Sequence, residues 1–305
     1  MDRRSFLEIP GKAAIWLGAS ASGIGLAREL SAAPVTDVSV VKGEPAAATR
    51  AAVEMLGGIS TVVKPGARVI IKPNMSFMSP PEGGANTHPI VVQTLAAMCW
   101  EAEAASVLIL DHTLGPGRVT IERSGIGEAV SKVKKGTVFA VNDADHYREV
   151  RIDGAETLKT TEVVKSVLDA DVLIAAPTAK SHSSAGVSLS MKGMMGLVYN
   201  RRVMHWKNLD DCIVDMCTVL PADLSVVDAQ YVLSTGGPGG PGKVLHERKV
   251  IASRDMVAAD ARTVAEFVWY GQRFKPRQVG HIRKAHERGL GSMDIENQRI
   301  ERLEL

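Results

Sequence analysis

Val172-Leu-Ile-Ala-Ala176 is continuously apolar and only five residues long. Such a run is too short for a typical helix and reads as a strand buried on both faces, as in a parallel sheet. Arg68-Val-Ile-Ile-Lys-Pro73, Ser106-Val-Leu-Ile-Leu110 and Leu224-Ser-Val-Val227 have the same character. Helical stretches lie between them at 46–56, 88–102, 126–133, 161–170 and 209–220, the second with Thr87 as N-cap and Pro89 in its first turn. Further strands are expected at 36–41, 137–141 and 249–252, and helices at 255–269 and 276–288 close the chain. This alternation predicts an α/β fold: a mostly parallel, doubly wound sheet flanked by helices, with right-handed crossovers and room for a small subdomain.

In open sheets of this kind, ligands sit beyond the carboxyl ends of the strands. The polar residues of this chain fall there. Lys72-Pro73-Asn74 follows one strand, Asp111-His112-Thr113 the next, and Lys180, His182, Ser183, Ser184, Ser188 and Lys192 follow the third. Asp228 ends a fourth. Lysines and serines contribute little to a core, and a buried ammonium needs a partner. A convergent set of Lys, His, Asn and Asp suits a small anionic ligand. It also suits proton transfer, because His titrates near neutrality and neighbouring lysines depress its pKa. The polar run 180–192 also reads as a solvated loop, Asp111 as a helix cap and Asn74 as a turn residue. Gly236-Gly-Pro-Gly-Gly-Pro-Gly242 excludes regular structure and reads as a flap over the site.

Composition removes several classes. Apolar residues make up 45%, ample for a core, while a mean hydropathy of +0.04 argues against many membrane spans. A formal charge of +2 and 4% aromatics offer neither an electrostatic track nor a stacking platform, so no nucleic-acid partner is expected. Cys99, Cys212 and Cys217 form no zinc-ribbon or iron–sulfur motif. Cys99 reads as a core residue, and Met191, Met194 and Met195 more readily as core than as a partner surface. Asp211 and Asp215 fit an amphipathic helix better than a metal site, Asp255 and Asp260 fit helix caps, and His146, His246 and His281 read as surface residues.

The amino terminus is a separate unit in this reading. Asp2-Arg3-Arg4-Ser5-Phe6-Leu7-Glu8 matches the twin-arginine export consensus, and Ala13 to Ala27 supplies a weakly apolar segment too short for a standard membrane span. Residues 1–33 are therefore expected to be an export leader, bringing the twin-arginine translocation machinery as partner and an exported, periplasmic location. Pro34 after Ser31-Ala32-Ala33 hinders cleavage, so an uncleaved leader is the one expected route to a membrane. Gly18-Ala-Ser-Ala-Ser-Gly23-Ile-Gly25 imitates a dinucleotide-binding turn, but no strand precedes it and no Tyr-x-x-x-Lys follows.

Val69-Ile-Ile-Lys72-Pro73-Asn74, Thr87-His88-Pro89, Lys192-Gly-Met-Met-Gly196 with His205 thirteen on, and Val227-Asp228 resemble the domain-of-unknown-function 362 family. Ala252-Ser-Arg-Asp255 with Ala259-Asp260, and His286-Glu-Arg-Gly289-Leu-Gly291, extend the resemblance over about 36 to 292. It implies that 34–305 is a single α/β domain of that family. Many members carry a ferredoxin segment, which this chain lacks, and most have Lys-Asn where it has Lys192-Gly193. More remotely, His182-x9-Lys192 with Ala185-Gly186 between is similar to a segment of nickel-pincer lactate racemases. That resemblance implies acid/base roles for His112 and His182, attachment of a nickel-pincer nucleotide or another metal cofactor at Lys192, and metal ligation by His205. Leu189-Ser190 replaces the racemase's glycine pair.

Three readings follow. The chain is an exported, cofactor- or metal-dependent enzyme acting on a small hydroxy-acid-like anion, with His112 and His182 as acid/base. Lys192, Lys180, Ser183, Lys72 and Asn74 then hold cofactor or anion, and His205 a metal. Alternatively it is a non-catalytic metal- or anion-binding protein, or a redox accessory using its Met-rich helix.

Overall fold

The computed structural model describes residues 36–305, and the predicted leader lies outside them. In chain order the elements are β1 Val38–Lys42, α1 Pro45–Glu54, β2 Arg68–Pro73, α2 Pro89–Glu101, β3 Ser106–Asp111, α3 Gly117–Arg123, α4 Ile126–Ser131 and β4 Val138–Ala140. There follow β5 Tyr147–Arg151, β6 Thr160–Val164, α5 Lys165–Leu168, β7 Val172–Ala176, β8 Thr178–His182, β9 Gly186–Ser188, α6 Ser190–Gly193 and α7 Arg202–Trp206. The last are α8 Leu209–Val219, β10 Leu224–Leu233, β11 Val244–Ser253, α9 Met256–Glu266, α10 Gly280–Glu287 and β12 Ile300–Glu304.

The central sheet runs β12-β1-β11-β10-β7-β2-β3-β4, with β8 continuing beside β10 and β9 folded back on β8. The four strands β7, β2, β3 and β4 and their neighbour β10 are all paired in parallel. Antiparallel pairing enters through β11 and the β8–β9 hairpin. The expected mostly parallel, doubly wound α/β sheet is therefore the observed one. The apolar runs explain it: Ile70 and Leu173 belong to one buried cluster, while Val69, Ile71, Val172 and Ile174 belong to another. Alternate side chains thus meet helices on opposite faces, α8, α9 and α10 on one and α1 and α2 on the other.

Several expectations are corrected. Residues 161–170 are not one helix. Thr160-Thr-Glu-Val-Val164 is rich in β-branched residues and pairs antiparallel with β5, leaving only α5 as helix. Thr87 does not cap α2. His88 does, its ring accepting from the Ile90 N–H, while Thr87 donates to the Ala176 carbonyl. Asp228 lies inside β10, which runs five residues past it, at the position where the strand's neighbour changes from β7 to β8. The polar run after β7 is a hairpin rather than a loop. Cys99, Cys212 and Cys217 are buried, as are Met191, Met194 and Met195. Those methionines therefore offer no partner surface. His281 is wholly buried instead of superficial, its Nδ1 3.4 Å from Asp210.

Candidate active site

The parallel strands β2 and β3 place Lys72, Asn74 and Asp111 at one edge of the sheet, and β8 carries Lys180 and His182 beyond β7 to the same edge. A cavity of about 330 Å³ opens there. Its lining includes Lys72, Asn74, Asp111, Lys180, His182, Ser183, Lys192, Arg201 and His205. Seven of the eight residues to which the enzyme reading gives a role, all but His112, therefore share one cavity.

The cations are deeply buried. Lys72 and Lys180 are each 3% exposed and Lys192 8%. Lys72 forms an ion pair with Asp111, Nζ to Oδ1 3.1 Å, and donates to the Pro73 carbonyl. The pair is off-line for a hydrogen bond, so Oδ1 retains acceptor capacity. Asp111 is fixed through Oδ2, which accepts from the Met75 N–H at 3.0 Å and the Ser76 hydroxyl at 2.9 Å. Lys180 donates to the Ala85 carbonyl and lies 4.9 Å over the Phe77 ring. Lys192 has no hydrogen bond or ion pair among the described residues. Arg201 reaches in from the loop before α7, its guanidinium donating to the His112 carbonyl at 2.8 Å. Burial, then each other's charge, depresses these lysines. Lys180 falls to about 7, through desolvation, Lys72 and Lys192. Lys192 also falls to about 7, through desolvation, Arg201 and Lys72. Lys72 is lowered by desolvation against the pull of Asp111.

Two short-range devices make this crowding feasible. Gly196 has no Cβ, and one placed there would stand 2.0 Å from Asp111 Oδ1 and 2.5 Å from Lys72 Cε. Asp260, buried on α9, accepts from the Ser190 and Met191 N–H groups at 2.8 and 3.0 Å. It so anchors the single turn that carries Lys192.

The imidazoles are arranged differently. His182 is 6% exposed, and burial followed by Lys192, His205, Lys180 and His281 holds its pKa at about 3. Its ring faces that of the exposed His205, centroids 6.0 Å apart and nearly parallel. Asn74 lines the cavity while its Oδ1 accepts from the Thr178 N–H, a structural duty. Ser183 is exposed at the hairpin turn. His112 does not line the cavity. It packs against Tyr147 and Tyr199, with Nδ1 3.1 Å from the Tyr147 hydroxyl, and its backbone rather than its ring serves the site, the carbonyl accepting from Arg201 and the N–H donating to the Gly196 carbonyl. The glycine loop is tied to β8 by the Gly237 N–H donating to Ser181 Oγ at 3.0 Å, and Pro238 reaches the cavity. Arg201, Gly196 and the Asp260 anchor were not predicted. Arg201 and Arg202, four and three residues before His205, were the available signal for the first.

Two imidazoles, His182 and His205, are the site's metal-type donors besides the ion-paired Asp111. No group of three or more His, Cys, Asp or Glu that could hold a metal ion occurs among the described residues. Three protein donors are the usual minimum for a catalytic metal, so these residues do not fit an ion held by protein alone. No helix among the described residues is long and apolar enough to cross a membrane.

Comparison with known proteins agrees with the sequence motifs. The thylakoid-associated protein sll1697 of Synechocystis sp. is 26% identical over 234 residues, covering 72% of this chain and 68% of that protein. Among solved structures, the lactate racemase apoprotein from Thermoanaerobacterium thermosaccharolyticum aligns with a TM-score of 0.46 and 13% identity, over 71% of this chain and 54% of that one. A Thermotoga maritima protein aligns with a TM-score of 0.42 and 14% identity, over 61% and 51%. The chain thus spans about half the length of these two solved structures. The model of the Domain of unknown function (DUF362) family matches residues 69–265, well over half the chain, and the protein belongs to that family.

Proposed function

We propose that the cavity binds a small organic anion carrying a hydroxyl or carbonyl oxygen, hydroxy-acid-like, and that the protein is an enzyme transforming it by proton chemistry. The observation that carries this reading is the charge imbalance. Lys72, Lys180, Lys192 and Arg201 face one carboxylate, Asp111, in a cavity of about 330 Å³. Buried cations are stable only when paired, and a bound carboxylate supplies the missing charge. Asp111 Oδ1 keeps an acceptor position for a ligand hydroxyl. The depressed lysines provide a group able to exchange protons near neutrality.

Calorimetric titration with oxalate and with each enantiomer of lactate tests the binding. Saturable uptake by the wild type that is lost in K180M and K192M is expected, and no uptake of any of the three overturns the reading. Turnover is tested by solvent deuterium incorporation into bound lactate. Binding without exchange would leave the protein a non-catalytic anion binder.

A lysine-attached nickel-pincer nucleotide would use Lys192 as its anchor and would supply a hydride acceptor when bound. Intact mass and nickel content of protein from its native host decide that question. As part of the same proposal, residues 1–33 act as a twin-arginine leader preceding a single α/β domain, and the mature protein is exported to the periplasm. An R3K/R4K variant is then retained in the cytoplasm, and unchanged export of that variant would exclude this pathway.

A further inference from the structure

His182 and Lys192 stand at the same cavity with opposite hydrogen-bonding constraints. The chain leaves β8 at His182, turns through residues 183–185 and enters β9. In that turn the backbone N–H groups of Ser184 and Ala185 both donate to His182 Nδ1, each at 3.2 Å. A ring nitrogen receiving two N–H donors presents its lone pair and carries no proton. The proton of the neutral ring therefore sits on Nε2. A second proton would have to displace two backbone donors. It would also face Lys192 from α6, His205 from α7, Lys180 from its own strand and His281 from α10, all of which oppose it. His182 is built to donate from Nε2, not to accept.

Lys192 is constrained in the other sense. Lys72 has Asp111 and the Pro73 carbonyl as acceptors, and Lys180 has the Ala85 carbonyl and the face of Phe77. Lys192 alone among the three has no acceptor among the described residues, and Arg201 and Lys72 repel its charge. Losing its proton breaks no hydrogen bond and relieves that repulsion. The two groups are rigidly placed, His182 by its turn and Lys192 by the Asp260 anchor of α6.

Resting on the anion reading above, we infer that His182 and Lys192 divide the proton chemistry: the neutral amine of Lys192 is the base, and His182 is a permanently neutral hydrogen-bond donor to the ligand oxygen on which charge develops. The lone pair of Lys192 Nζ forms the new N–H bond, and the electron pair of the broken bond to hydrogen stays on the ligand. Its negative charge is held by the His182 Nε2–H. The ammonium returns the proton in the reverse step, so no oxidant or reductant enters. A neutral imidazole is the better donor here, because an imidazolium would add a further positive charge to a site that already holds an excess of them.

Competitive labelling of the whole chain with acetic anhydride, read by mass spectrometry over pH 5 to 10 with and without oxalate or inorganic phosphate, reports Lys72, Lys180 and Lys192 separately. Long-range proton–nitrogen correlation spectra report the histidine tautomers over the same range. The expected result is a Lys192 midpoint near 7, protection of Lys192 by the anions, and a His182 ring with its proton on Nε2 and no titration above pH 5. A Lys192 midpoint above 9, a covalent group already on Lys192, or protonation of His182 Nδ1 within the range overturns the assignment. Failure of both anions to protect Lys192, with the two signatures intact, overturns instead the anion reading on which the assignment rests.

Discussion

Burying an ammonium without an acceptor is costly, and Lys192 shows where the cost falls on the pH axis. Its pKa is lowered from 10.5 to about 7, chiefly by burial. Between those values the unfolded chain binds a proton that the folded chain does not, so stability rises with pH through this window, and the penalty is complete below it. K192M should therefore raise the melting temperature most at pH 6, by a stability increment on the order of a few kcal/mol, with the gain shrinking towards pH 10. A gain independent of pH would show that the Lys192 pKa is the same in the folded and unfolded chain, so that burial does not depress it. Gly196 makes a second, purely steric prediction. The Cβ of G196A would strike Oδ1 of Asp111, a carboxylate whose Oδ2 is tied to Met75 and Ser76. Overpacking of this kind costs about 1–3 kcal/mol, readable as a lower urea midpoint, and should abolish oxalate binding as the Lys72–Asp111 pair is displaced. At this scale the lysines were legible because a lysine directly after an apolar strand has no core function. Their individual states were not, since those depend on which carbonyl or carboxylate lies within about 3 Å, a relation between residues distant in sequence.

Single turns and hairpins position these side chains, and here legibility was uneven. The runs at β2, β3 and β7 announced themselves because burial on both faces demands unbroken apolarity. The β8–β9 hairpin did not, because Lys180-Ser181-His182 has the composition of a solvated loop. It is buried only because the site folds over it. The 160–164 strand was likewise masked, its β-branched residues lying next to a genuine helical turn. Asp260 illustrates the same limit. It was expected to serve its own helix, but it caps α6 seventy residues earlier, while Asp255 does cap α9 through the Val257 and Ala258 N–H groups. D260A leaves two buried N–H groups without acceptors, each worth about 1–3 kcal/mol, and should weaken oxalate binding as Lys192 loses its anchor. D255A should cost about 0.5–2 kcal/mol as an ordinary cap while leaving oxalate affinity unchanged. Equal loss of binding in both variants would mean that the α6 anchor has no special role.

For the molecule as a whole, the consequential fact is that strands separated by more than a hundred residues end at one edge, so that their charges add. A cavity with a cationic excess should be stabilised by the anion it binds. At a hundredfold excess over its dissociation constant, oxalate should add about 2.7 kcal/mol by mass action. That stabilisation should be greatest below pH 7 and decline as Lys180 and Lys192 lose their protons. Thermal melts at pH 6 and pH 9 with and without oxalate check it, and a shift insensitive to pH would exclude the lysines as the binding groups. The α/β class, the order of the parallel strands' apolar runs and the family motifs were determined by the sequence itself. Periodicity and burial of single strands are local properties, carried by neighbouring residues. Which side chains share the cavity, that His112 turns away to Tyr147 while Arg201 turns in, that Lys192 lacks an acceptor and that His182 has two donors were decided only by tertiary structure. Desolvation, hydrogen-bond geometry and the sum of distant charges exist only once the chain has brought those groups together.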